Sequence, residues 1–94
     1  MGIIELKYDG KTQTSKKSIH HILESLEFWW LIDSETEGGK IEITKNTIIW
    51  HDGLYLSGNW YYGIFKNGEF YGNWENGIWE GGFFGGNWIS GIKK

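Results

Sequence analysis

Few side chains in this sequence could do chemistry, and their spacing does not favour catalysis. His51 is followed by Asp52, which could be a base with its orienting carboxylate, but Asp52-Gly53 is also the dipeptide that a type I′ turn requires. His20 and His21 are adjacent and would point to different sides of a helix, so they cannot chelate one ion as an i, i+4 pair does. We therefore predict no catalytic, cofactor or metal site, and no enzyme activity.

Aromatic side chains could recognise a ligand by stacking, and they recur regularly in the second half of the chain. The 94 residues include seven Trp, five Tyr, five Phe and 15 Gly. The triplet Gly-Asn-Trp occurs at a constant step of 14 residues, at positions 58–60, 72–74 and 86–88. A constant step marks an internal repeat, so residues 50–92 are predicted to form a β-repeat.

Within the repeat, rings recur at steps of five or four residues: Trp50, Tyr55, Trp60, Phe65, Phe70, Trp74, Trp79, Phe84 and Trp88. In an antiparallel meander of short repeated hairpins, these rings would share one face, and Asn67-Gly68 and Asn76-Gly77 would supply type I′ turns. In a β-solenoid, whose spacing is similar to that of pentapeptide-repeat proteins, the rings would fill the interior of a coil. We favour the meander, because Trp is large for such an interior and the four-residue steps would interrupt a five-residue register.

The N-terminal part predicts one strand and one helix. Residues 3–8 alternate apolar and polar side chains as a strand does. Apolar side chains at i, i+3, i+4, i+7 spacing then predict a helix over about residues 16–28, with Thr14 or Ser15 as its N-cap. Residues 28–32 are apolar on every side, and we expect them in the core, as a last helical turn or a buried strand.

The segment before the repeat completes the predicted fold. Residues 33–39 read as a solvated loop, and residues 41–50 as a β-hairpin rich in β-branched side chains. Because the ring ladder buries too little surface to be stable alone, residues 1–40 are expected to cover it as a strand-helix lid, with residues 41–94 as the β-repeat sheet. We therefore predict a single domain over residues 1–94 of the α+β class, in which the N-terminal strand and helix pack on the antiparallel meander.

Charge and composition exclude several kinds of partner. Nine Lys and Arg against twelve Asp and Glu give a net charge of −3, which leaves no basic surface for a phosphate backbone, so we expect no nucleic-acid partner. The sequence has neither a basic stretch followed by an apolar one nor an apolar run of about 18 residues, so we expect no signal peptide and no membrane span. Because there is also no cysteine, we expect a cytoplasmic protein.

Two stretches of the repeat carry a family resemblance. Residues 84–91, Phe-Gly-Gly-Asn-Trp-Ile-Ser-Gly, have the spacing aromatic-x-Gly-x-Trp-x-x-Gly, and residues 71–77 nearly have it. This resembles the core of the membrane occupation and recognition nexus (MORN) repeat, whose unit is longer than the 14 residues found here. The repeat is also similar to glycine and aromatic repeats in small proteins of tailed phages, and Trp60-Tyr61-Tyr62 to choline-binding cell-wall repeats.

The rings divide into a core set and an outer set. The rings that recur at steps of five or four residues are predicted to be core. The rings outside this regular spacing, with two neighbouring carboxylates, are predicted to share one outer face and to contact a partner: Tyr61, Tyr62, Tyr71, Glu75, Glu80 and Phe83.

An outer aromatic surface without a catalytic constellation predicts binding. We expect a non-enzymatic protein-binding module, of which a phage-type inhibitor of a host protein is one form, because aromatic side chains are enriched in binding hot spots. The alternative is a glycan or cell-wall binding repeat protein, suggested by Trp60-Tyr61-Tyr62. A nucleotide-sequestering oligomer is a weaker alternative. An open sheet edge would also allow a homo-oligomer.

Overall fold

The structure is a computed structural model that describes residues 2–45 and 47–94. The N-terminal half contains β1 (Ile3–Tyr8), β2 (Lys11–Gln13), helix α1 (Lys16–Ser25), helix α2 (Trp29–Ile32), β3 (Glu35–Thr44) and β4 (Thr47–Ser57). Within the described residues, eight strands of two residues follow: β5 (Asn59–Trp60), β6 (Ile64–Phe65), β7 (Glu69–Phe70), β8 (Asn73–Trp74), β9 (Ile78–Trp79), β10 (Phe83–Phe84), β11 (Asn87–Trp88) and β12 (Ile92–Lys93). The chain is thus mostly β with two short helices, and the predicted α+β class holds only in part.

Strands β1 to β4 form a sheet in which β1 and β3 are parallel, and β3 and β4 antiparallel. The predicted first strand and the predicted hairpin over residues 41–50 are confirmed, while Asn46 in the hairpin turn lies outside the described residues. The predicted loop over residues 33–39 is wrong, because β3 already begins at Glu35. The polar side chains of this segment suggested a loop, but its backbone pairs with β1 on one side and with β4 on the other.

The predicted helix is confirmed but ends earlier than expected. It begins after Ser15, whose hydroxyl accepts a hydrogen bond from the backbone N–H of Ser18 at 3.4 Å. It ends at Ser25 instead of near residue 28. Glu27 has a φ of 62°, in the left-handed region, and this conformation separates α1 from α2. In the part of the chain that the structure describes, no helix is long and apolar enough to cross a membrane.

From β4 onward the chain forms stacked coils, so the predicted antiparallel meander is wrong and the β-solenoid alternative is correct. The short strands pair in parallel with strands one coil away, on three sides: β4, β6, β9 and β12 on the first, β4, β7 and β10 on the second, and β5, β8 and β11 on the third. Ile49 pairs with Ile64, and Ile64 with Ile78. The sequence period of 14 residues is therefore the length of one coil, and the first coil carries one residue more.

The corners of the coils explain why the hairpin prediction fails. A type I′ turn needs positive φ at both central residues, but at Asn76-Gly77 only the glycine has it, with a φ of 128°. The chain therefore turns a corner there instead of folding back on the preceding strand. The four-residue steps at 70–74 and 84–88 fall at the same corner of successive coils, so they preserve the register of the coils.

Three ladders of stacked rings fill the solenoid, one for each side: Trp50, Phe65 and Trp79; Tyr55, Phe70 and Phe84; Trp60, Trp74 and Trp88. Successive rings are nearly parallel, as for Trp60 and Trp74, with 6° between planes and 5.3 Å between centroids. Rings of neighbouring ladders meet edge to face. The predicted core is confirmed for the first seven of these rings along the chain, whereas Phe84 is half-buried and Trp88 is 37% exposed.

Glycine at the corners leaves room for the indole rings. The expectation that Trp is too large for the interior of a coil is therefore wrong. A Cβ added at Gly77 would lie 3.0 Å from Trp60 Nε1 and 3.2 Å from the ring of Trp74. It would also lie 2.7 Å from the carbonyl oxygen of Gly63, one coil earlier. The close approach of coils and rings therefore requires glycine at this corner.

The first coil is covered by α2, while α1 packs against β1 and α2. Phe28 and Leu31 are buried, as expected for this apolar segment, but Trp29 is 49% exposed. The ring of Trp30 meets that of Trp60 edge to face at 5.3 Å. The N-terminal segment thus covers one end of the ring ladders and does not lie across a sheet face.

Candidate functional site

The six residues predicted to contact a partner do not share one face. The predicted meander would have placed them together on its outer face, but this solenoid has three outer sides. They lie in three places: Tyr61, Tyr62 and Glu75 at the corner after β5 and β8, Tyr71 and Phe83 around β7 and β10, and Glu80 at the corner after β9. Their four rings are exposed as expected, from 40% for Tyr71 to 56% for Phe83.

Tyr71, Phe83 and Glu69 form one continuous surface, which we call the aromatic patch. Parallel pairing of β7 and β10 places Phe83 beside Glu69, and the rings of Tyr71 and Phe83 lie 5.9 Å apart at 46°. Both rings lie over Gly85, where an added Cβ would be 2.9 Å from an atom of each ring. The repeat thus exposes two rings together where a glycine leaves room for them.

The carboxylate of Glu69 is the hydrogen-bond partner of the tyrosine in this patch. The hydroxyl of Tyr71 donates a hydrogen bond to Glu69 Oε1. This bond to a negatively charged acceptor raises the pKa of Tyr71 above its ordinary value. The hydroxyl therefore keeps its proton, and with it the bond to Glu69, to a higher pH than an ordinary tyrosine would.

The two tyrosines after β5 differ in role although they are adjacent. Tyr62 packs on Phe28 and Trp30, with ring centroids 5.8 and 5.6 Å away, and so holds α2 to the first coil. Tyr61 meets Trp30 at 6.0 Å and 78° and lines a cleft.

This cleft lies between the end of α2 and the first coil, and we call it the cap cleft. Its volume is about 400 Å³, and its lining comes from both parts of the chain: Trp30, Asp33, Ser34, Gly58, Asn59 and Tyr61. Of these, sequence reasoning selected only Tyr61. Asp33 and Asn59 are distant in the sequence, and neither stands in a pattern that indicates a shared site.

Buried polar contacts hold the base of the cap cleft. The hydroxyl of Tyr55 donates to the carbonyl oxygen of Asn59 at 2.7 Å and contacts Ser34 Oγ. Burial raises the pKa of Tyr55 far above its ordinary value, so the ring stays neutral. Gly58 has a φ of 109°, and a Cβ there would lie 2.4 Å from Ser34 Oγ, so only glycine allows this contact between the segment after α2 and the coil.

A ladder of asparagine side chains extends from the cap cleft along the third side of the solenoid. Asn73 Nδ2 donates to Asn59 Oδ1 at 3.1 Å, and Asn87 Nδ2 donates to Asn73 Oδ1 at 2.9 Å. These are the asparagines of the Gly-Asn-Trp triplets, and they point outward while the tryptophans point inward. The triplet thus supplies both the ring ladder and an outer row of amides.

The histidine considered for catalysis has a surface partner. His51 Nε2 lies 2.9 Å from Glu42 Oε1 across the β3–β4 pair, not against Asp52. Asp52 Oδ1 instead accepts from the backbone N–H of Gly53, so its role is in the corner of the coil. Among residues 2–45 and 47–94, no three His, Asp or Glu side chains lie close enough to hold a metal ion.

The fold places the chain in the class of β-solenoids with a covered first coil. The chain matches no family model, no curated protein and no solved structure. The resemblance of its repeat to the MORN core therefore stays a prediction.

Proposed function

We propose that this chain is a non-enzymatic binding module that presents its aromatic patch to a protein partner. The observation that carries the proposal is the joint exposure of two rings in contact, Tyr71 at 40% and Phe83 at 56%. The ladder rings of the same coils are mostly buried, so these two do not contribute to the core. Exposed aromatic clusters of this kind mark interaction sites on soluble proteins.

The contacts already made within the patch favour binding. Its rings lie on the backbone at Gly85, and the hydroxyl of Tyr71 is already bonded to Glu69. Ordering a mobile side chain at an interface costs about 0.5–1.5 kcal/mol, and a side chain that is already fixed avoids most of this cost. The patch therefore resembles a preorganised hot spot.

The chemistry of the patch indicates what the partner offers. Glu69 carries a negative charge beside two open rings, and the chain has a net charge of −3. A partner surface with Arg or Lys would complement the carboxylate and could place a cation over a ring face. A phage-type inhibitor of a host protein would occupy its target through such a surface.

Affinity capture with matched variants tests the proposal. Phe83→Ser removes the most exposed ring of the patch, and Trp29→Ser is the control, because Trp29 is 49% exposed in α2 and outside the patch. We expect a protein captured in stoichiometric amount by the wild type and by Trp29→Ser. Its affinity for Phe83→Ser should fall at least about tenfold, or about 1.4 kcal/mol. Capture of no such protein, or equal loss with both variants, would contradict the proposal.

A further inference from the structure

We propose that the cap cleft is a saccharide-binding site. Its volume of about 400 Å³ lies within the range of roughly 300–1,000 Å³ typical of small-ligand sites. It forms where α2 meets the first coil, whereas the aromatic patch lies around β7 and β10. The inference is therefore independent of the protein-binding function.

The stacking surface of the cleft is the ring of Tyr61. This ring lines the cleft and is 45% exposed, and Trp30 meets it at 78°. The face of an aromatic ring carries partial negative charge and attracts C–H groups. One flat side of a pyranose ring offers such C–H groups, and its edge offers hydroxyls.

The polar groups of the cleft match those hydroxyls. The Asp33 carboxylate is exposed and only accepts hydrogen bonds. The Asn59 amide accepts from Asn73 and donates weakly to the hydroxyl of Tyr61 at 3.4 Å. It keeps one N–H and one lone pair for a ligand. A sugar hydroxyl both donates and accepts, so neighbouring hydroxyls can pair with the carboxylate and the amide.

Two other ligand chemistries fit less well. A quaternary ammonium needs several ring faces within about 6 Å of the charge, but Trp30 is already packed against four other rings, which leaves Tyr61 as the open one. A phosphate-bearing ligand would meet the negative charge of Asp33. A neutral saccharide avoids both difficulties.

The test is a titration of the full chain, followed by ¹⁵N-¹H NMR, with maltose, cellobiose, lactose and chitobiose. Each disaccharide is added to about 50 mM, which would saturate a site with a dissociation constant of about 1 mM. We expect at least one to shift the amide signals of Asp33, Asn59 and Tyr61 in a saturable manner. Tyr61→Ala and Asp33→Asn should each weaken this binding at least about tenfold.

Tyr71→Ala is the matched control, because Tyr71 is a tyrosine of similar exposure that packs on Phe83 in the aromatic patch and does not line the cleft. It should keep the affinity within about twofold, in a variant whose NMR spectrum shows it to be folded. The proposal is overturned if none of the four disaccharides gives saturable shifts, or if choline chloride shifts these signals and the sugars do not. Equal weakening by Tyr61→Ala and Tyr71→Ala would also overturn it, since the effect would then not depend on the ring in the cleft.

Discussion

Replacement of Trp74 by alanine tests the solenoid most directly, because this ring lies in the middle of its ladder. It is fully buried and stacks between Trp60 and Trp88 at 5.3 and 5.4 Å. Burial of about 200 Å² of ring contributes about 5 kcal/mol at about 25 cal/mol/Å². Trp74 Nε1 has no acceptor among the described residues, which offsets about 1–3 kcal/mol, while the cavity left by alanine adds to the loss. The free energy of unfolding should therefore fall by about 3–5 kcal/mol.

Trp88 provides a matched control in the same ladder. It is 37% exposed, so alanine there removes less buried surface, and the loss should be smaller by about 1–2 kcal/mol. The measurement is equilibrium unfolding in urea, followed by circular dichroism and by tryptophan fluorescence. Two probes are needed because stacked coils can unfold separately, and the two-state treatment holds only where both transitions coincide.

Two outcomes would refute this reasoning. A loss below about 1 kcal/mol for Trp74→Ala would show that the ring is not in the core. A loss for Trp88→Ala as large as that for Trp74→Ala would show that the last coil is buried in solution, in contrast to the structure.

Two further substitutions test the corners and the base of the cap cleft. Gly77→Ala should lower the free energy of unfolding by at least about 3 kcal/mol, because its φ is 128° and the new Cβ would lie 2.7 Å from the carbonyl oxygen of Gly63. Gly10→Ala, at a φ of 74° with no atom within 4 Å, should cost only about 1 kcal/mol in the same urea assay, and equal losses would contradict the close packing of the coils. Burial raises the pKa of Tyr55 in the folded chain. The stability that this buried hydroxyl contributes is therefore present below the unfolded pKa of about 10 and is lost as the pH rises above it. The free energy of unfolding should fall there by up to about 1.4 kcal/mol per pH unit. Tyr55→Phe should flatten this fall in stability measured between about pH 9 and pH 11, and an unchanged slope would argue against burial of the hydroxyl.

Much of the core could be predicted from the sequence, but the direction of the strands could not. Rings such as Trp60 and Trp74 recur at one step, and a meander and a solenoid would both place them in the core. Parallel coils and antiparallel hairpins share this spacing, and they differ in the φ of the residue before each corner glycine. At Asn76 that angle is not positive, although Asn-Gly is the dipeptide typical of a hairpin.

The candidate sites were predictable only in part, for a related reason. The exposure of Tyr71 and Phe83 followed from their positions outside the regular spacing of the core rings. Their contact, however, depends on parallel pairing of strands one coil apart. The cap cleft combines Asp33 with Asn59, which no local pattern connects.

By itself, the sequence determined the period, the inward rings and the glycine corners, because these depend on side-chain size and local backbone freedom. Only the tertiary structure decided that one period corresponds to one coil. It also decided which of the outer rings are in contact, and that α2 covers the first coil. Backbone hydrogen bonds between coils and contacts between α2 and β5 join residues that are far apart in the chain. Their free energy depends on relative position in space, which a one-dimensional pattern of residue types does not specify.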